Sequence, residues 1–201
     1  MTNYIAELIR YPKTRALFRP LALLLIVTAT ISAIEAQEAP TTAPSSNPAI
    51  PAEPAALSHG DKIFIKKVAR ASTNEVALSQ LADSRALSPD VKSFAQMMIE
   101  DHTQANSDLG ALAKTKGIDI SKPVAEGKTD DISSLSSKSG SDFDKAYAKI
   151  MVSAHNGAVD LFKDEVATGK GPDVVAFAKK YVGTLSMHLD HAVALEKIVS
   201  P

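Results

Sequence analysis

Four stretches of this chain repeat apolar residues at helical spacing, and each carries one metal-ligating side chain near its middle. The first, from about 61 to 85, places Phe64, Val68, Ala71, Leu78 and Ala82 on one stripe, and Glu75 fills the gap in it. The second opens at Ser88-Pro89-Asp90, an N-cap, a proline at the first helical position and an acid in the first turn. Val91, Phe94, Ala95, Met98, Ala105, Leu109 and Leu112 follow with His102 in line, and Gly117 ends it. The third begins near Ser141-Asp142 and uses Phe143, Tyr147, Ile150, Met151, Ala154, Ala158, Leu161 and Phe162, with His155 at the stripe's edge. The fourth opens at Pro172-Asp173 and runs through Val174, Phe177, Tyr181, Leu185, Ala192, Leu195 and Val199, with His188 near the centre. Between the second and third lies a polar segment, 117–140, in which Ile132 and Leu135 allow one short helical turn. The reading is all-α: four helices, a long middle connection, and polar groups in the core.

The ends are read separately. Arg10, Lys13, Arg15 and Arg19 precede an apolar run from Leu21 to Ile34. That run is shorter than the roughly 20 residues of a membrane span, so 1–36 reads as a signal peptide cleaved after Ala36, with an uncleaved anchor as the alternative. Residues 37–57 carry five prolines among Ala, Ser and Thr and read as an extended linker. The folded domain is then 58–200. The expected address is periplasmic or otherwise exported, with no integral span after cleavage. There is no cysteine, so packing alone must stabilise the domain and thiolate chemistry is excluded. Without residues 1–36 the net charge is about −3, and no basic patch with interleaved aromatics argues for nucleic acid. Protein partners are not indicated, and a monomer or small oligomer is expected.

The second and fourth helices share an opening, Pro89-Asp90-Val91-Lys92-Ser93-Phe94-Ala95 against Pro172-Asp173-Val174-Val175-Ala176-Phe177-Ala178. This points to a duplicated helical hairpin with an approximate two-fold axis. Asn74-Glu75, Phe94-Ala95 through Met98 to Asp101-His102, Phe143-Asp144 with Tyr147, Met151 and His155, and Leu185 with His188-Leu189 resemble the family called domain of unknown function 4142. The resemblance spans roughly Phe64 to Ala192. It implies an exported bacterial protein with a ferritin-like four-helix bundle, and no established reaction.

At about 1.5 Å per residue, Glu75, His102, His155 and His188 each lie about 15–24 Å from the turn nearest to them. Either bundle topology, up-down-up-down or a long crossover, can therefore bring them to one level. A ferritin-type di-iron site needs a Glu three residues before its His, twice. Ile99, Val152 and Leu185 stand there instead, so di-iron chemistry is disfavoured. Met98 with His102, Met151 with His155 and Met187 with His191 are each one helical turn apart, a thioether–imidazole pairing that suits copper. An imidazole-rich set with one carboxylate also suits zinc. Two readings stay open: a metal-free polar network in which Glu75 accepts hydrogen bonds from histidines, or one mononuclear copper or zinc ion on Glu75, His102, His155 and His188. Asp101, His191, Met98 and Met151 would support such a site, Glu165 would sit at a rim or cap, and Tyr147 and Tyr181 would point inward. No nucleophile or oxyanion arrangement is visible, so the expectation is a non-catalytic envelope or stress-related protein. Its rival is a metal-dependent redox enzyme of the periplasm.

Overall fold

A computed structural model describes residues 57–121 and 130–200. The expected signal peptide and all but the last residue of the expected linker lie outside the described residues. Among the described residues five helices follow one another: α1 (His59–Arg85), α2 (Pro89–Thr115), α3 (Asp130–Ser136), α4 (Gly140–Thr168) and α5 (Pro172–Val199). α1 begins two residues before its predicted start because Ser58 and Asp61 form a capping box, each accepting from the other's backbone N–H. Ser88 caps α2 as expected, by accepting from Asp90 N. Gly117 ends α2 at φ 64, and the Ile118 N–H reaches back to the Ala113 carbonyl. The short turn expected around Ile132 and Leu135 is α3, whose Leu135 is fully buried.

Direction follows from three long-range contacts. Asp61, near the start of α1, accepts hydrogen bonds from Lys170 N (3.0 Å) and Gly171 N (2.9 Å), at the turn between α4 and α5. Asp144, near the start of α4, accepts from Leu87 N (3.1 Å) and Ser88 N (2.7 Å), at the turn between α1 and α2. Lys116, just past α2, pairs with Asp173 at the start of α5. So α1 runs antiparallel to α4 and α2 antiparallel to α5, while α2 and α4 run the same way. The segment between α2 and α4 is therefore a crossover along the bundle, and the topology left open by the sequence is the ferritin-like one.

The two hairpins, α1–α2 and α4–α5, pack against each other through α1 on α4 and α2 on α5. Asp61 and Asp144 are 83 residues apart, as are Pro89 and Pro172. Each aspartate caps the opposite hairpin, which is what a duplicated hairpin on a two-fold axis produces. Two apolar clusters fill the interior. One gathers Leu78, Phe94, Met98, Leu135, Phe143, Tyr147 and Met151 at the Asp144 end. The other gathers Phe64, Ile65, Leu109, Val159, Phe162 and Phe177 at the Asp61 end. Among the described residues no helix is long and apolar enough to cross a membrane.

Candidate metal centre

Between the two apolar clusters lies a buried polar layer: Ser72 and Glu75 from α1, His102 from α2, His155 from α4 and His188 from α5. The three imidazole rings pack against one another with centroids 5.4–5.7 Å apart. One ring nitrogen of each histidine can be chosen so that all three lie within 4.8 Å of one another.

Every ring is held from behind through its other nitrogen. His155 Nδ1 is 2.9 Å from the Met151 carbonyl, which can only accept, so Nδ1 carries the proton and Nε2 the free lone pair. His188 Nε2 lies 2.8 Å from Asp101 Oδ2 and donates to it, leaving the Nδ1 lone pair. His102 Nδ1 sits 3.0 Å from Ser72 Oγ and 3.2 Å from Glu75 Oε2. The nitrogens without a hydrogen-bond partner among the described residues are His102 Nε2, His155 Nε2 and His188 Nδ1. A buried polar atom left unsatisfied costs about 1–3 kcal/mol, and here three belong to rings that pack against one another.

Burial favours the neutral forms of Glu75, His102 and His155. It pushes the Glu75 carboxyl up to about 8. Burial, and then charge on His188 and His155, holds His102 well below the ordinary histidine value. Burial followed by charge on His188 brings His155 down to about 4, against the opposing hydrogen bond to Met151. Because burial disfavours charge on both partners, Glu75 and His102 are held as a neutral hydrogen-bonded pair at pH 7. Neutral imidazoles are the form that binds metal.

This donor set fits a copper or zinc ion. Metal–nitrogen bonds of about 2.0–2.1 Å need nitrogens about 3.3–3.6 Å apart, an inward shift of about 1 Å from the outer limit seen here. Hydrogen bonds from the far nitrogen of each ring to a carboxylate or carbonyl are the usual support of metal-binding histidines.

The structure rearranges the expected set. Glu75 is not among the three converging donors but stands behind His102, and its Oε1 has no hydrogen-bond partner among the described residues. His155, expected at the stripe's edge, is fully buried. The buried face of α4 is Asp144, Ala148, Met151, His155 and Val159, whereas Ile150, Ala154, Ala158 and Leu161 face a cleft. Averaging core and cleft residues into one stripe had displaced its centre. Met98 and Met151 are buried in the apolar cluster at the Asp144 end, where they serve as packing. His191 is half-buried, with Nδ1 unpartnered; burial and then His188 hold it below its usual value. Tyr147 bonds Ser79 Oγ at 2.8 Å and Tyr181 bonds Asp108 at 2.7 Å, so both hydroxyls find partners. Glu165 is not at a rim: it is buried against Asp61. Ser72 had no signal in the sequence beyond its place one turn before Glu75.

The cleft, about 930 Å3, opens between α1 and α4 and reaches His102 and His188. The family described as a domain of unknown function (DUF4142) matches residues 46–195, and the chain belongs to it. No curated protein matches the chain. Among solved structures it is similar to a DUF305 fragment from Deinococcus radiodurans, with 14% identity, a TM-score of 0.62, and coverage of 71% of this chain and 97% of that one. It is also similar to CopM in its Cu(II)-bound form, with 14% identity, a TM-score of 0.59, and coverage of 69% and 96%. CopM in its Cu(I)-bound form gives 16% identity, a TM-score of 0.59, and coverage of 70% and 98%. At these identities the likeness is one of fold.

Proposed function

We propose that this chain, as a member of the DUF4142 family, is an exported bundle protein that binds one copper or zinc ion on His102, His155 and His188. Glu75, Ser72, Asp101 and the Met151 carbonyl hold the three rings in place. The observation that carries this reading is that three histidines packed ring against ring each keep one buried nitrogen without a partner while the other is hydrogen-bonded. A polar network alone would pair those nitrogens with donors; this one leaves all three free. Imidazoles suit both copper and zinc. The solved structures of CopM with copper and with silver give the fold a precedent for soft metals, which favours copper. The basic, apolar start of the chain supports export, and with it an envelope or stress-related role. The rival reading, a periplasmic redox enzyme, would use the same ion.

Metal analysis of protein purified from its own compartment, followed by titration of the metal-free protein, tests this. One equivalent of copper or zinc, lost in His155→Ala and His188→Ala, is expected. No metal on isolation, together with no binding and no stability gain on titration, would overturn the reading in favour of the polar network.

A further inference from the structure

The cleft between α1 and α4 is larger than a metal ion needs. Its volume of about 930 Å3 lies within the range of pockets that hold small organic molecules, about 300–1,000 Å3. His102 and His188, 4% and 1% exposed, are among its lining residues. Its walls combine core residues such as Leu78 and Phe162 with half-buried ones that pack at the edge of the core. Ile150, Ala154, Ala158 and Leu161 give α4 a second apolar strip, only half-buried, beside the strip that faces the core. Small side chains keep the space open: Ala71 and Gly157 line the cleft, and a Cβ added at Gly157 would meet no heavy atom within 4 Å. Charged side chains line it in equal number, Lys67, Arg70 and Lys149 with Glu75, Asp101 and Asp131, and of the acids Glu75 and Asp101 are each engaged with a histidine.

A metal held only for structure is usually closed off by a fourth protein ligand, whereas a set of three protein donors leaves a position for an exchangeable one. A bare inorganic anion would have no use for apolar walls. We propose that the cleft admits a small organic anion, a carboxylate on an apolar body, whose head reaches the metal beside His102 and His188 while its body lies along α4. This rests on the metal reading above.

The test uses the Cu(II)-bound protein and two probes, azide and benzoate. Azide should add a charge-transfer band and alter the copper EPR spectrum, and benzoate should displace it competitively. Gly157→Leu fills the cleft without touching a ligand and replaces a helix-interior glycine by a better helix former. It should weaken benzoate by at least about tenfold through lost apolar contact, with copper and azide binding unchanged. Ala158→Leu should act likewise. If no copper binds, the metal reading and this inference fall together. If copper binds but neither probe perturbs it, the metal is shut off and only the inference fails. If azide binds but benzoate does not compete, or competes equally well in both cleft variants, the cleft does not hold an organic ligand.

Discussion

At the scale of single residues, the centre depends on which nitrogen of each ring is occupied. His155 has its tautomer set by its own helix, through the Met151 carbonyl one turn back. His188 has its tautomer set by the Asp101 carboxylate, and His102 is held through Nδ1 by Ser72 and the Glu75 carboxyl, which makes those partners as important as the rings they hold. Glu75→Gln and Asp101→Asn should each weaken metal binding about 10–100-fold while changing metal-free stability little, as loss of such supporting carboxylates usually does. Competition titration against a chromophoric chelator measures this, and unchanged affinity in both variants would mean the rings need no support. Glu165 has a different consequence. Burial, then the hydrogen bond and the charge of Asp61, raise its carboxyl to about 7 from an ordinary value of 4.5. A folded-state value above the unfolded one means the native state holds the proton more tightly. Its contribution is complete below about pH 4.5 and is lost as pH rises toward 7. The fall should be about 1–2 kcal/mol, less than the shift alone implies because water reaches part of the group. Glu75, His102 and His155 titrate differently in the folded and unfolded chain over the same range. The test is therefore the difference in urea-unfolding stability between the native protein and Glu165→Gln, whose amide can donate to Asp61 at any pH. That difference should change by this amount across pH 4.5–8. A difference that stays constant with pH would mean Glu165 does not contribute.

At the scale of helices, periodicity made four of the five elements legible almost to their ends, because caps such as Ser88-Pro89-Asp90 and stops such as Gly117 are local signals. The buried histidines of α2 and α5 were legible for the same reason. His155 was misjudged because α4 has two apolar faces, one to the core and one to the cleft, and a single stripe cannot represent both. Asp61 and Asp144 went unnoticed as caps because their partners are 110 and 57 residues away in sequence. Nothing local marks such a pairing. Yet each is buried and accepts two backbone N–H groups of the facing turn, which make no other hydrogen bond among the described residues. Asp144→Ala strands the Leu87 and Ser88 N–H groups, and should cost about 2–4 kcal/mol. Denaturant unfolding should show a lower midpoint with an unchanged slope. A loss below about 0.5 kcal/mol would mean water replaces the carboxylate freely.

At the scale of the whole molecule, the chain direction that the sequence left open also explains why the centre lies where it does. A polar connection such as 117–140 can end a hairpin or climb the bundle, and its composition does not distinguish the two. The reciprocal caps do: with α1 against α4 and α2 against α5 running in opposite directions, the two-fold axis passes near mid-bundle. Positions close to that axis meet their counterparts from the other hairpin. His155 corresponds to Ser72 at the shared 83-residue offset, and the two belong to one polar layer. Three histidines on a scaffold whose counterparts are Ser72, Ala105 and Leu185 make a single centre rather than a symmetric pair, which agrees with a mononuclear ion. The donors also divide between hairpins, His102 on α1–α2 and His155 with His188 on α4–α5. A metal there would clamp the two hairpins across an interface that the cleft between α1 and α4 leaves thin. Metal in 100-fold excess over its dissociation constant should therefore stabilise the fold by about 2.7 kcal/mol, raising the melting temperature by about 10 °C. Hydrogen exchange should slow on both hairpins together, on α1 as well as on α4 and α5, although α1 contributes no donor to the three. Protection confined to the turns around single histidines would mean that the ion binds without joining the halves, and His188→Ala should abolish the whole effect.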